Sequence, residues 1–186
     1  RVQAGDIPAH AAFVPRRAEI GPPPTEKPDS RYLQAVDEYV PAPGQFVNLL
    51  PSYASGDDAR SMAAKCTAAL ANNARGLVSL GGYGGCLTFH FDHRVANIHG
   101  ENDLYIAGNS FASADPQWAA LGGASEPGIV MVSRDDNRNG LPDDQWYELR
   151  GSADEDSVGR VDYAYALHYT RTTEGAITWS DNRGNQ

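Results

Sequence analysis

The sequence predicts an all-β protein: an antiparallel β-sandwich or jelly roll with one short helix near its N-terminal side. Apolar and polar residues alternate over runs of about four to eight residues, as in Cys86-Leu87-Thr88-Phe89-His90-Phe91. Gly, Asn, Asp and Pro turn signals separate those runs, where a parallel α/β sheet would need a helix after each strand. Only one segment keeps a helical period.

Residues 1–35 form an extended Pro-rich arm or linker, because Pro8, Pro15, Pro22, Pro23, Pro24 and Pro28 forbid a long helix there. Residues 36–186 form the sandwich. Val40-Pro41-Ala42-Pro43-Gly44 is a turn, after which Phe46 and Val47 are expected to start the core. The helix is predicted from Asp57 and Asp58 to Ala74, with an acidic first turn and Gly76 just past its end. Met62, Cys66, Ala69 and Leu70 make its apolar stripe. Gly81-Gly82-Tyr83-Gly84-Gly85 lacks the Gly-Lys-Ser/Thr of a phosphate-binding loop, so it marks a strand corner where backbones approach closely.

Alternation then predicts strands at Cys86–Phe91, with Leu87, Phe89 and Phe91 inward, and at Asp103–Gly108, with Leu104 and Ile106 inward. Further strands are expected at Ile129–Ser133, Trp146–Leu149, Tyr163–Thr170 and Ala176–Trp179. The turn signal in Asp181–Gln186 leaves two expectations, a sandwich that has lost its last strands or one cut from a longer chain.

The net charge of -9 disfavours nucleic acid and anionic membrane surfaces as partners, since electrostatics would oppose both encounters. No apolar run is long enough to span a bilayer, and Arg1-Val2-Gln3-Ala4-Gly5 has no signal-peptide pattern. Cys66 and Cys86 lack the spacing of a zinc or redox site. They are either a disulfide or two free thiols.

The segment with the most definite chemistry is Asp135–Asp144. Oxygen-bearing side chains alternate at Asp135, Asn137 and Asn139, Gly140 permits a sharp turn, and Leu141 can offer its carbonyl. Asp143 occupies the ninth position, where a direct or water-mediated calcium ligand is usual. Trp146 stands where an EF-hand has its closing glutamate, so that carboxylate must come from Asp144 or Glu148. The flanks predict strands, which gives a calcium-stapled turn between two strands. The alternative is an ordinary Asn/Asp/Gly hairpin loop whose side chains cap their own backbone.

Other polar groups say less. His93 is a metal-ligand candidate without a second histidine at helical spacing, and a hydrogen-bonded turn histidine is the plainer assignment. Asn109 and Glu126 border the Ser110–Ser125 loop, as ligand-binding groups or turn anchors. Tyr83, Trp118 and Trp146 could stack on a sugar ring, or pack inside. No Gly-x-Ser-x-Gly elbow is present. A glycosidase carboxylate pair leaves no sequence signature, and Glu101, Asp103 and Glu126 are its candidates.

Several stretches together carry a resemblance. They are Tyr39–Asn48, Val78–Gly85, Phe91-Asp92-His93 with Asn97, Gly108–Phe111, Ser125–Val130 and, most specific, Asp136–Leu149. Over about residues 38–170 the chain resembles a family of secreted or lipid-anchored cell-surface proteins of Bacteroidetes. The resemblance implies an exported protein with a jelly-roll-like domain at the outer surface, in a family some of whose members sit beside outer-membrane uptake systems, including those for corrinoids. It assigns no catalytic residue. Its usual pattern lacks cysteine at positions 66 and 86, so a disulfide would be particular to this chain.

The expectation that follows is an extracellular, non-catalytic module with a structural calcium loop, binding a glycan or another small molecule in nutrient acquisition. A corrinoid-binding surface protein, a glycoside hydrolase-like enzyme and an adhesion scaffold are the alternatives.

Overall fold

The computed structural model describes residues 30–113, 122–124, 126–151, 154, 164–171 and 175–186. Trp118 and Tyr163, most of the Ser110–Ser125 loop and residues 1–29 of the proposed arm lie outside them. In chain order the elements are β1 (Ala35–Val40), α1 (Ala59–Leu70), β2 (Cys86–His90), β3 (Phe111–Ala112), β4 (Gly123–Ala124), β5 (Met131–Ser133), β6 (Trp146–Glu148), β7 (Leu167–Arg171) and β8 (Ile177–Asp181). Among the described residues the strands pair as four two-stranded antiparallel sheets, β1-β2, β3-β4, β5-β6 and β7-β8. Among the described residues the regular elements are therefore mostly strands in small antiparallel sheets, with one helix. It divides into two units: residues 1–94 with 162–186, and residues 95–161.

The first unit holds the described core, where α1 packs on the β1-β2 pair. Val36 and Tyr39 from β1 meet Met62, Ala63 and Cys66 from α1, with Leu33, Leu70, Val78, Leu87 and Phe89 packed around them. Val36 and Tyr39 are three residues apart, a spacing that strand alternation would send to opposite faces. A register shift between Val36 and Glu38 inserts Asp37 as an extra residue. Such a bulge lets both neighbours turn to the core, which is why β1 escapes a period-two pattern. Phe46 is 51% exposed and Val47 only half-buried, so the core starts at β1 rather than at the Phe46-Val47 pair.

The helix is shorter than its sequence pattern. Asp58 is the N-cap, its carboxylate accepting from Ser61 N while Ser61 Oγ accepts from Asp58 N. This reciprocal capping box satisfies two end donors. The first turn itself contains no acid, because Asp57 and Asp58 precede it. At the far end Asn72 and Asn73 adopt positive φ of 54° and 65°, a conformation asparagine tolerates better than most residues, and the helix stops at Leu70 instead of Ala74. Thr67 Oγ1 accepts from Val36 N at 2.9 Å and donates to Ala63 O at 3.1 Å, tying α1 to β1.

The glycine segment crosses the Ala42–Gly44 turn at close range. Ala42 N donates to Leu80 O at 3.0 Å and Gly82 N to Pro43 O at 3.2 Å. A Cβ at Gly81 would strike Ala42 O, so only glycine permits that approach.

Both cysteines are free. Cys66 is fully buried and its thiol is pushed up to about 11 by burial, whereas Cys86 is exposed. A thiol reagent is therefore expected to modify Cys86 alone in the folded chain and both cysteines after denaturation. Two unreactive cysteines in the denatured, unreduced chain would show a disulfide instead.

In the second unit the alternating segment Asp103–Gly108 is not a strand. Tyr105 is 92% exposed and Ile106 53%, and strand formation needs a partner edge, which alternation alone does not provide. The pairing falls instead on Phe111–Ala112 with Gly123–Ala124.

Candidate functional site

The Asp135 loop is the connection of the β5-β6 hairpin. Ser133 pairs with Trp146, Val132 with Tyr147 and Met131 with Glu148, and Leu149 N donates to Val130 O at 2.9 Å, so residues 134–145 are held at both ends. Inside the loop, oxygens and backbone donors interlock. Asp135 accepts from Asn139 N through Oδ1 and from Gly140 N through Oδ2, both at 3.1 Å. Asn137 Oδ1 accepts from Asn139 N at 2.9 Å, and Asn139 Oδ1 from Leu141 N at 2.8 Å. Gly140 and Arg138 sit at φ of 72° and 61°, the left-handed turns of the loop, and Asn139 between them is hydrogen-bonded to both Asp135 and Asp143.

Asp143 closes the ring. Its Oδ1 and Oδ2 accept from Asn137 Nδ2 at 3.3 Å and Asn139 Nδ2 at 2.9 Å. Asp144 Oδ2 accepts from Asp136 N at 3.2 Å, which ties the loop's end to its start. Trp146 Nε1 donates to Pro142 O at 3.3 Å, so that indole braces the turn. Glu148 lies in β6 opposite Met131, outside the ring. Of the two candidate closing carboxylates, Asp144 is therefore the one joined to the loop.

The donor chemistry fits a hard cation in one respect. Each carboxylate or amide oxygen that accepts one N–H keeps another lone pair, and the loop gathers several such oxygens from alternate side chains. Among the described residues no group of three or more His, Cys, Asp and Glu side chains forms a metal cluster. A cation here would thus depend on Asn137, Asn139 and the Leu141 carbonyl joining Asp135 and Asp143.

Asn109 and Glu126 meet in the same unit, with Asn109 Nδ2 3.4 Å from Glu126 Oε2, and both are exposed. Glu101 is exposed, and Asp103 Oδ1 accepts from Ile98 N at 3.0 Å.

Tyr83 and His93 belong to the first unit. His93 Nδ1 is 2.8 Å from Asp92 Oδ1, which also accepts from Ser30 N at 3.3 Å, and the His93 hydrogen bond is the main reason the Asp92 carboxyl lies below its usual range. Tyr83 is 46% exposed at the tip of the glycine segment. Its hydroxyl donates to Tyr165 O at 3.0 Å, and its carbonyl accepts from Tyr169 Oη at 3.0 Å. The Tyr83 and Tyr165 rings meet edge to face at 5.3 Å, and the Arg183 guanidinium lies 5.7 Å from the Tyr165 ring centre.

This aromatic corner is larger than sequence reasoning found. Tyr165, Tyr169, Asp181 and Arg183 join Tyr83 from the β7-β8 hairpin. The alternation of Tyr165, Leu167 and Tyr169 was the available signal, but nothing local ties it to a loop more than eighty residues away. Asp181 anchors the corner, accepting from Tyr165 Oη at 3.0 Å and from Asn185 and Arg183. These bonds, led by the Asn185 side chain, lower its carboxyl to about 2.

A folded pKa below the unfolded value of about 3.9 stabilises the hairpin fully above that value. The contribution is lost as pH falls toward about 2. Trp179, directly across from Tyr169, should report this as an acid fluorescence transition that Asp181→Asn removes. An identical transition in that variant would rule out Asp181 as its source.

Fold and loop together define a small-sheet antiparallel β protein with an Asx-rich hairpin loop tied by its own side chains. No protein-family model matches the chain, and no curated protein matches it.

Proposed function

We propose that this chain is an extracellular, non-catalytic ligand-binding module, with calcium in the Asp135 loop as a structural staple and a glycan as its ligand. The observation behind it is the loop: Asp135, Asn137, Asn139 and Asp143 turn toward one another between two paired strands. Asp135, Asn137, Asn139, Leu141 and Asp143 would supply the oxygens, with Asp144 closing the site. The ion's chemistry is to neutralise this concentration of carboxylates and fix the hairpin. Such a staple suits the cell exterior, where calcium is abundant and binding stabilises the native state by mass action.

The ligand surface is assigned to aromatics held by hydrogen bonds rather than packed away, with Tyr83 first. A sugar presents C–H faces to an aromatic ring and hydroxyls to polar neighbours, and the corner offers the half-exposed Tyr83 ring, edge to face with a Tyr165 ring that carries the Arg183 guanidinium. In this proposal the small antiparallel sheets belong to a jelly-roll-like sandwich, displayed at an outer-membrane surface next to a nutrient-uptake system.

The test is thermal unfolding in excess calcium and in chelator, each with a glycan panel and a corrinoid. A midpoint raised by calcium and raised again by one glycan, with the second rise lost in Tyr83→Ala, is expected. A response to the corrinoid alone would replace the glycan. No response to calcium or any ligand would reject the proposal.

A further inference from the structure

We infer that Asn139 is a site of spontaneous backbone-directed deamidation, held in check by the carboxylate of Asp135. Asn139-Gly140 is the one Asn-Gly pair in the chain, and both residues are exposed. With no Cβ on Gly140, its backbone nitrogen can approach the Asn139 carboxamide unhindered.

In the reaction a bond forms between Gly140 N and Asn139 Cγ. The Cγ–Nδ2 bond breaks, and Nδ2 leaves as ammonia with the proton that Gly140 N gives up. Water then opens the cyclic imide at either carbonyl, leaving aspartate or isoaspartate. No oxidant or reductant takes part.

The loop acts on this step in two opposed ways. Leu141 N donates to Asn139 Oδ1 at 2.8 Å, where negative charge builds as the nucleophile adds, and so activates the electrophile. Against that, Gly140 N donates to Asp135 Oδ2 at 3.1 Å. A backbone nitrogen must lose its proton to attack, and a carboxylate bonded to that proton opposes the loss by charge and by hydrogen bonding. Asn139 Nδ2 is further held by Asp143 Oδ2 at 2.9 Å. The electrophile is primed while the nucleophile is restrained, so the rate is set by how often the Gly140–Asp135 bond opens.

The product carries a new carboxylate in a loop already rich in them, and isoaspartate also lengthens the backbone by one methylene between residues 139 and 140. Aspartate sets a carboxylate against Asp143 in place of the Nδ2 donor, and isoaspartate shifts the alternation of oxygens. The modification itself needs no cation, so it stands or falls separately from the calcium proposal.

The experiment follows the acid form of Asn139 by mass spectrometry of the full chain at neutral pH, folded and in denaturant, with isoaspartate resolved chromatographically. Folded wild-type chain is expected to convert at Asn139 ahead of Asn109, which precedes Ser110, and about tenfold slower than in denaturant, since the loop's bonds to Asn139 and to Gly140 must open together first. Asp135→Asn keeps the side chain's shape without its charge. It should convert several-fold faster than wild type when folded, as verified by circular dichroism, and equally fast in denaturant. Asn139→Gln serves as the blank. Absence of conversion in the folded chain would overturn the site, and an unchanged rate in folded Asp135→Asn would overturn the restraint.

Discussion

Asp135→Ala is expected to abolish the calcium-dependent part of the chain's thermal stability while leaving its midpoint in chelator almost unchanged. With calcium at about a hundred times its dissociation constant, mass action adds about 2.7 kcal/mol to the native state. For a chain of this size that is a rise of about 5–10 °C. Asp135 is the natural target because its two oxygens organise the turn, accepting from Asn139 N and Gly140 N. Without calcium those bonds are exposed and water can replace them, so the loss in chelator should stay within about 0.5 kcal/mol. An Asp135→Ala chain that keeps the full calcium response would move the ion elsewhere. A wild-type chain with no response would leave the loop as a hairpin turn capped by its own side chains.

The loop was legible because its information is local. Side chains at every second position, a glycine at the bend and strands on either side can all be read within about fifteen residues, and the β5-β6 pairing follows the flanks. Features that depend on distant partners were not legible in the same way. The strand β1 hides its period behind a one-residue bulge, so Val36 and Tyr39 look out of phase although both are buried. Asp103–Gly108 shows the reverse case, a clean alternation that pairs with no strand among the described residues and leaves Ile106, expected inward, 53% exposed.

The aromatic corner failed for a third reason. Tyr83 was singled out as a loop aromatic able to stack on a sugar ring, but Tyr165, Tyr169 and Asp181 join it only through tertiary contacts. The helix was located by its apolar stripe and the two acids at its start, but those acids precede the first turn, and its early end follows from two consecutive asparagines rather than from Gly76.

Tyr39→Ala is expected to be the most damaging single change in the described core, at about 3–5 kcal/mol. Tyr39 is 6% exposed, it packs with Val36, Met62, Ala63 and Cys66, and its hydroxyl donates to Ser79 O at 2.7 Å. Three effects then add. The ring's burial is lost, the cavity it leaves cannot close because β1 is pinned by β2 on one side and α1 on another, and Ser79 O loses its donor. Cys66, fully buried in that cluster, would border the cavity and become open to thiol reagents. Tyr39→Phe separates the terms, since it keeps the ring and removes only the hydrogen bond, for about 1 kcal/mol. Urea unfolding of the three chains, with Cys66 reactivity measured alongside, decides the matter. Equal midpoints for wild type and Tyr39→Ala would mean that the cluster of β1, β2 and α1 is not what holds this unit folded.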